Sequence, residues 1–201
     1  MRPVSAEMAD KLMAAAELFA DRGLDDTKTE DIAAATGIPK ATIYYYFEGK
    51  EEVLSFIFGV VLDAVQDAIT GTVAGPGNAA ERLARVIEVH LQVFAQYPKA
   101  SQALHFDLGR AARLPEVAQR SNAAFIAPVT ALLVEGGRDG SLKVLPEPRL
   151  TAIALLGTIS TAAIHVLALE PTDPLESLIG VITPLVLDGL RAPDAPAGGV
   201  S

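Results

Sequence analysis

The stretch from Pro39 to Lys50, PKATIYYYFEGK, places three consecutive tyrosines, a threonine and two lysines on about two turns of helix. At about 100° per residue, Ile43 and Phe47 lie on one face as an i, i+4 pair. The residues that this arrangement turns toward solvent are Ala41, Thr42, Tyr44 and Tyr45. The sequence therefore predicts a helix with an apolar back and a hydrogen-bonding front.

The residues before this stretch predict a partner helix. Thr27 followed by Glu30 fits a capping box, so a helix should begin at Lys28. Gly37 suits the left-handed geometry of a helix C-terminus, and Pro39 suits the first turn of the next helix. Two short helices joined by such a turn form a helix-turn-helix, whose second helix enters the major groove of DNA.

The string from Thr29 to Leu54, TEDIAAATGIPKATIYYYFEGKEEVL, resembles over its whole length the signature of the TetR family of transcriptional regulators. Ala33, Gly37 and Ile43 fall where a helix-turn-helix needs a small residue, a turn glycine and a branched core residue. The resemblance implies a homodimer on a near-palindromic operator, acting as a repressor that a small, largely apolar molecule releases.

The size, reach and placement of individual side chains in the motif predict their roles. Ala41 and Thr42 are short and suited to base edges, while Lys40 reaches a guanine or a phosphate. The expected phosphate contacts, which fix register, are Lys28, Thr29, Tyr44, Tyr45, Tyr46 and Lys50. Pro39 stands where many relatives have serine, so a capping and phosphate contact from that position is not expected.

Charge argues against DNA binding at first sight. The chain has a formal net charge of −9, and up to residue 60 it has six basic and eleven acidic residues. DNA-binding segments are usually basic. Lys28, Lys40 and Lys50 nevertheless stand at the starts of three successive predicted helices, where free amides and the helix dipole also attract phosphate. We therefore expect binding that depends strongly on salt.

Composition favours closely packed helices and is compatible with a reducing compartment. Half of the 201 residues are apolar, and cysteine and tryptophan are absent. The absence of cysteine excludes disulfides and thiolate metal sites. Glu7, Asp10 and Lys11 interrupt the position where a signal peptide needs an apolar core, so we expect a cytoplasmic protein.

Periodicity and turn residues divide the chain into two helical domains. Residues 1–50 form a three-helix head that contains the helix-turn-helix, and residues 51–190 form a ligand-binding and dimerisation domain. Residues 191–201, rich in proline, alanine and glycine, are expected to be a disordered tail. The predicted helices cover 5–22, 28–36, 39–47, a long stretch from about 50 to 71, 79–97, 100–110, 115–135, 150–169 and 175–190, with GGRDGS at 136–141 as a loop.

The segment from Leu150 to Leu169 has no charged residue over twenty positions. Its length would span a bilayer, but polar residues such as Thr158 and Ser160 are scattered through it. In the TetR resemblance it forms, with residues 175–190, the last two helices, which pair with their copies in a second subunit. An acidic substitution at Leu156 is therefore expected to give monomers. A membrane-associated helical protein remains the alternative.

The same resemblance places a ligand cavity among the body helices. Its expected lining is Val61, Leu62, Val65, His90, Phe94, His105, Phe106 and Phe125. We predict no catalytic residues, metal site or cofactor, because the three histidines lack ligand spacing and no nucleophile or phosphate-loop motif is present. A TetR-fold interaction module that does not bind DNA is the other alternative.

Overall fold

The computed structural model describes residues 3–106, 115–169 and 175–192, and within them the secondary structure is helical apart from turns and one isolated backbone bridge. The predicted all-α class is confirmed. The helices are α1 (Ala6–Met13), α2 (Ala16–Asp26), α3 (Thr29–Thr36), α4 (Lys40–Tyr46), α5 (Lys50–Val73), α6 (Ala79–Gln96), α7 (Pro98–Phe106), α8 (Pro115–Ser121), α9 (Ala127–Asp139), α10 (Pro148–Ala163) and α11 (Leu175–Leu190), with π-helical segments at Asn122–Ile126 and Ile164–Leu169.

The first predicted helix, 5–22, is two helices in the structure. Ser5 caps α1, its hydroxyl accepting the amide of Met8 at 3.3 Å. At the junction the amide of Ala15 bonds to the carbonyl of Leu12 at 3.0 Å, an i−3 bond that tightens the turn between α1 and α2. Gly23 takes a φ of 74°, so the chain turns there as expected before it reaches α3.

The predicted capping box at Thr27 and Glu30 is wrong. The Thr27 side chain is buried and donates to the carbonyl of Gly23 at 2.7 Å, so it closes the preceding turn instead. The amide of Lys28 donates to the carboxylate of Asp31 at 3.1 Å, and α3 begins at Thr29. Gly37 ends α3 with a φ of 67°, as predicted.

The body begins with α5 and α6, which agree closely with the sequence prediction. Asn78 and Glu81 form a reciprocal cap at the start of α6, each side chain accepting the other's amide at 3.0 Å. Helix α7 begins at Pro98 rather than Ala100, because proline is well tolerated in a first helical turn. The predicted end of that helix, 107–110, lies outside the described residues.

Helix α9 continues through part of the predicted loop at 136–141. It ends at Asp139, and Gly140 terminates it with a φ of 77°. Gly136 serves close packing rather than a turn, since a Cβ there would lie 2.5 Å from Cδ1 of Leu142. The sequence signal for a loop was in fact a glycine that permits a close contact.

The last two predicted helices are present with small changes at their ends. Helix α10 begins at Pro148 and gives way to the π segment at Ile164, and α11 has the predicted bounds. Arg191, which we assigned to the tail, forms an antiparallel backbone bridge with Leu142. The rest of the predicted tail, 193–201, lies outside the described residues.

Several contacts join the head to the body, and two of them are specific side-chain contacts. Phe47 at the end of α4 packs edge-on against Phe56 of α5, with ring centroids 5.7 Å apart. Helix α2 packs along α7, and Lys99 Nζ lies 2.9 Å from Oδ1 of Asp21 across that junction. Helices α5 and α7 therefore both connect the head to the interior of the body.

Candidate DNA-binding face and ligand cavity

The outer face of α4 is fixed by two buried side chains. Ile43 and Phe47 are almost fully buried, whereas Tyr44 is 51% and Tyr45 60% exposed. Ala41 is also exposed and Thr42 is half-buried beside it. Exposed tyrosines are unusual on an otherwise well-packed head, and the arrangement presents a ridge of hydroxyls and short side chains to solvent.

Tyr44 joins this ridge to α3. Its hydroxyl lies 3.4 Å from Oγ1 of Thr29, the first residue of α3. Lys28, directly before it, is exposed. The first turns of α3 and α4, together with Tyr44, thus form a continuous surface. A DNA phosphate there can contact amides, hydroxyls and an ammonium group.

Lys40 is paired within the protein. Its ammonium group forms an ion pair with Glu30 and lies 5.7 Å from the centre of the Tyr44 ring. The hydrogen bond raises the pKa of Lys40 and lowers that of Glu30. A DNA phosphate or guanine must therefore compete with Glu30 for this lysine.

Lys50 and Tyr46, two of the expected phosphate contacts, each have partners within the protein. Lys50 Nζ donates to the carbonyls of Asp25 and Thr27 at 2.8 and 2.9 Å, so it ties the start of α5 to the turn before α3. Tyr46 is half-buried and packs edge-on against Tyr45 at 5.0 Å. Both residues hold the motif's geometry in this structure. Sequence spacing could not show this, because the carbonyls that Lys50 binds come from residues more than twenty positions away.

A cavity of about 450 Å³ lies inside the body. Seven of the eight predicted residues line it, while Phe106 is 58% exposed and lies outside the lining. The full lining is Val61, Leu62, Val65, His90, Phe94, Ser101, Leu104, His105, Val117, Ala118, Ser121, Asn122, Ala124, Phe125, Ile126, Arg149, Ile153, Leu156, Gly157 and Ser160. Most of these groups are apolar, and a small set of polar groups is distributed among them.

His90 is the most deeply buried ionisable group of this lining. Its ring packs against those of Phe94 and Phe125, with centroids 5.0 and 4.9 Å away. Burial lowers the pKa of His90 to about 4, so the ring is neutral near pH 7. The pKa of His105 is also lowered, first by burial and then by the nearby His165.

Sequence reasoning missed the wall that α10 contributes to the cavity. Arg149, Ile153, Leu156 and Ser160 recur every three or four positions along this helix. That spacing marks one helical face, but the segment is apolar on several sides and we assigned it wholly to a subunit interface. Leu156 faces the cavity, so it is a poor probe of dimer formation.

Helices α10 and α11 also carry an exposed apolar surface, and one of its residues, Ile153, lines the cavity as well. Leu150 and Ile153 of α10 and Val181 and Leu185 of α11 are 39 to 64% exposed. A Cβ added at Gly180 would contact nothing within 4 Å, so the backbone of α11 is open to close approach. We call these four exposed side chains the α10–α11 face.

Three comparisons bear on this architecture. The model of the bacterial regulatory proteins of the tetR family matches residues 12–55, from the end of α1 to the start of α5. A fatty acid metabolism regulator protein of Bacillus subtilis is 25% identical over 193 residues, which cover 94% of this chain and 97% of that protein. The solved fatty acid degradation regulator FadR of Bacillus halodurans is 25% identical, with a TM-score of 0.75 over 90% of this chain and 99% of that one.

The chain belongs to the TetR family of transcriptional regulators. The ketosteroid transcriptional regulator KstR2 of Mycobacterium tuberculosis has the same fold, with a TM-score of 0.79 at 21% identity over 95% of this chain and 98% of that one. TetR-family proteins are DNA-binding regulators rather than enzymes. The prediction of a non-enzymatic transcriptional regulator is confirmed.

Membership of the TetR family also bears on the membrane alternative. Helices at Lys50–Val73, Glu116–Asp139 and Pro148–Val166 are long and apolar enough to cross a bilayer by length and composition. In this fold they surround the cavity, and TetR regulators are soluble proteins. Among the described residues no cluster of histidine, aspartate and glutamate suits a metal ion.

Proposed function

We propose that this TetR regulator is a cytoplasmic repressor that binds a near-palindromic operator as a homodimer and leaves it when a small, largely apolar molecule enters the cavity. The observation that carries the DNA-binding part is the outward face of α4. Burial of Ile43 and Phe47 holds Tyr44 and Tyr45 in solvent beside Thr42. This is the geometry that a recognition helix needs in the major groove.

The contact roles follow from reach and exposure. Ala41 and Thr42 read base edges, and Lys40 contacts a guanine or phosphate once Glu30 releases it. The remaining phosphate contacts are Lys28, Thr29, Tyr44 and Tyr45, while Lys50 and Tyr46 act mainly by positioning the motif. The head comprises residues 1–50 and the body 51–190, because α5 begins at Lys50 and lines the cavity farther along.

The α10–α11 face supports a homodimer through these two helices. Exposed side chains of this size are unfavourable in a monomer when they are grouped together. Val181 and Leu185 lie one helical turn apart, as a helix-packing ridge requires. Packing of this face against its copy would bury the group and set the separation of the two heads.

The cavity supports an apolar effector with lipid-like character. Its lining is mainly aliphatic and aromatic, with few polar groups to orient a ligand. The names of the similar proteins concern fatty acid metabolism and a ketosteroid. We therefore propose a fatty-acid-derived or steroid-derived metabolite as the effector class.

Two helices connect the cavity to the head. Val61, Leu62 and Val65 of α5 line the cavity, and α5 starts at the head. Ser101 and Leu104 of α7 also line it, on the helix that packs against α2. A ligand that binds one arrangement of α5 and α7 more tightly than the other shifts the equilibrium toward that arrangement. The size of the shift is set by the difference between the two binding free energies, and the spacing of the heads changes with it.

The test is selection of genomic fragments by the purified protein, with and without effector candidates. Enrichment of one near-palindromic sequence, lost when a fatty acid or steroid acid is added, is the expected result. Failure to enrich any sequence would favour an interaction module instead, which the acidic head makes the leading competitor. If one sequence is enriched but no such acid reduces its enrichment, the DNA-binding proposal stands and the proposed effector class is wrong.

A further inference from the structure

Two residues that line the cavity each have a buried hydrogen-bonding atom that the described chain leaves without a partner. His90 is 2% and Ser101 1% exposed, and both line the cavity. His90 Nδ1 and Ser101 Oγ have no hydrogen-bond partner among the residues that the structure describes. Buried polar atoms are nearly always paired, so two unpaired atoms on residues of one apolar lining point to a bound group that pairs with them after a small side-chain adjustment.

The chemistry of this buried end excludes a charged group. His90 is neutral near pH 7 because burial lowers its pKa to about 4. Its Nε2 lies 3.4 Å from the hydroxyl of Ser160, and the rings of Phe94 and Phe125 pack against the imidazole. A neutral imidazole and two hydroxyls can satisfy a hydroxyl or carbonyl oxygen, but they do not offset the desolvation of a carboxylate.

The other end of the cavity has the opposite character. Arg149 is exposed, and it is the one permanently charged residue among the described residues that line the cavity. It lies eleven positions before Ser160 on the continuous helix α10. At 1.5 Å per residue the two positions are about 16 Å apart along the helix axis.

We propose that the cavity binds an elongated amphiphile with an anionic group at Arg149, an apolar middle and a neutral hydroxyl or carbonyl oxygen at His90 and Ser101. This inference rests on the proposed function and refines it, because it fixes which end of the ligand enters the buried end. The anion is a carboxylate of a free acid or a phosphate of a phosphorylated conjugate, since arginine binds both. A plain hydrocarbon tail would leave both buried atoms unpaired.

The inference is tested with probes that differ at one end. A length of about 16 Å corresponds to about 13 bonds of an extended zigzag chain, which is roughly the count from the hydroxyl oxygen to a carboxylate oxygen in ω-hydroxydodecanoic acid. The probes are therefore dodecanoic acid, ω-hydroxydodecanoic acid, dodecanol and dodecyl phosphate. Calorimetry should show that the hydroxy acid binds about five- to tenfold more tightly than dodecanoic acid, the factor expected of one net hydrogen bond. His90→Phe should reduce this preference to less than twofold. Ser101→Ala, a one-atom deletion, should reduce it as well and serves if His90→Phe fails to fold.

The charged end is tested with Arg149→Gln. This variant should weaken dodecanoic acid on the order of tenfold and leave dodecanol unchanged, because a charge-assisted hydrogen bond is lost. Tighter binding of dodecyl phosphate than of dodecanoic acid would identify a phosphorylated conjugate, and the reverse order a free acid.

Three outcomes would overturn the inference. These are equal binding of the two acids, a hydroxyl preference that both the His90 and Ser101 variants retain, or no binding of any probe. The proposed function fails by a different result, namely the absence of operator binding by the ligand-free protein. The two failures are therefore distinguishable.

Discussion

The buried histidine makes the stability of the protein depend on pH in a calculable way. In the unfolded chain His90 has a pKa of about 6.5, whereas burial lowers its pKa in the folded state to about 4. Between these values the unfolded chain binds the proton that the folded chain does not. The part of the folding stability that depends on a neutral His90 is therefore fully present above about pH 6.5 and is lost as the pH falls toward 4.

The expected size follows from the two pKa values. At 1.36 kcal/mol per pKa unit, the complete loss approaches about 3 kcal/mol below pH 4. The sequence pI is about 4.8, so measurements near pH 5 risk precipitation. Between pH 7.5 and pH 5.5 the titration of His90 should lower the free energy of unfolding by about 1 kcal/mol.

Urea unfolding at the two pH values measures this contribution. The variant His90→Gln lacks the titrating group but keeps an amide near Ser160, so the wild-type pH dependence minus that of His90→Gln isolates the histidine. Protein concentration must be held fixed, because dimer formation shifts apparent stability. A difference near zero, or an imidazole that titrates near 6.5 by NMR in the folded protein, would refute the reasoning about burial.

Three further predictions concern the DNA-binding face and the dimer. Glu30→Gln should release Lys40 and raise operator affinity several-fold, with a salt slope steeper by about one, while Glu17→Gln on α2 should have a smaller effect; operator titrations at several salt concentrations would show whether the two variants differ. Thr42→Ala should cost about 1 to 3 kcal/mol on the operator and relax preference at one position, and equal loss on mismatched duplexes would rule out base reading. Leu185→Asp should give monomers by light scattering, whereas Val144→Asp, outside the α10–α11 face, should leave the dimer intact; a dimeric Leu185→Asp protein would place the interface elsewhere.

The fold was largely predictable because the decisive signals are local. Ile43 and Phe47 define one helical face, and Gly37 marks the turn between α3 and α4. Helix α4 and its outward residues therefore follow from spacing. The helix breaks were harder. At 136–141 the sequence contains glycines, which occur both in loops and where helices pack closely. Only the position of Leu142 in the structure shows that Gly136 belongs to the second kind.

The site was predictable in part, and the limit has a physical cause. Periodicity identifies the apolar face of a helix such as α6 and so found His90 and Phe94. It does not show which of two apolar faces on α10 turns inward, so Arg149 and Ser160 were missed. Likewise the two carbonyls that Lys50 binds are distant from it in sequence, so this positioning role becomes visible only in three dimensions.

Operator titration of the ligand-free protein tests the central claim most directly. A duplex recovered by genomic selection and a scrambled duplex of equal length would be compared across salt concentrations by fluorescence anisotropy. The account predicts that the selected duplex binds at least about 10³-fold more tightly, with affinity that falls steeply as salt rises and a strong loss on Thr42→Ala. Equal affinity for the two duplexes, or specific binding that Thr42→Ala and Tyr45→Ala both leave unchanged, would contradict the assignment of α4 as the recognition helix.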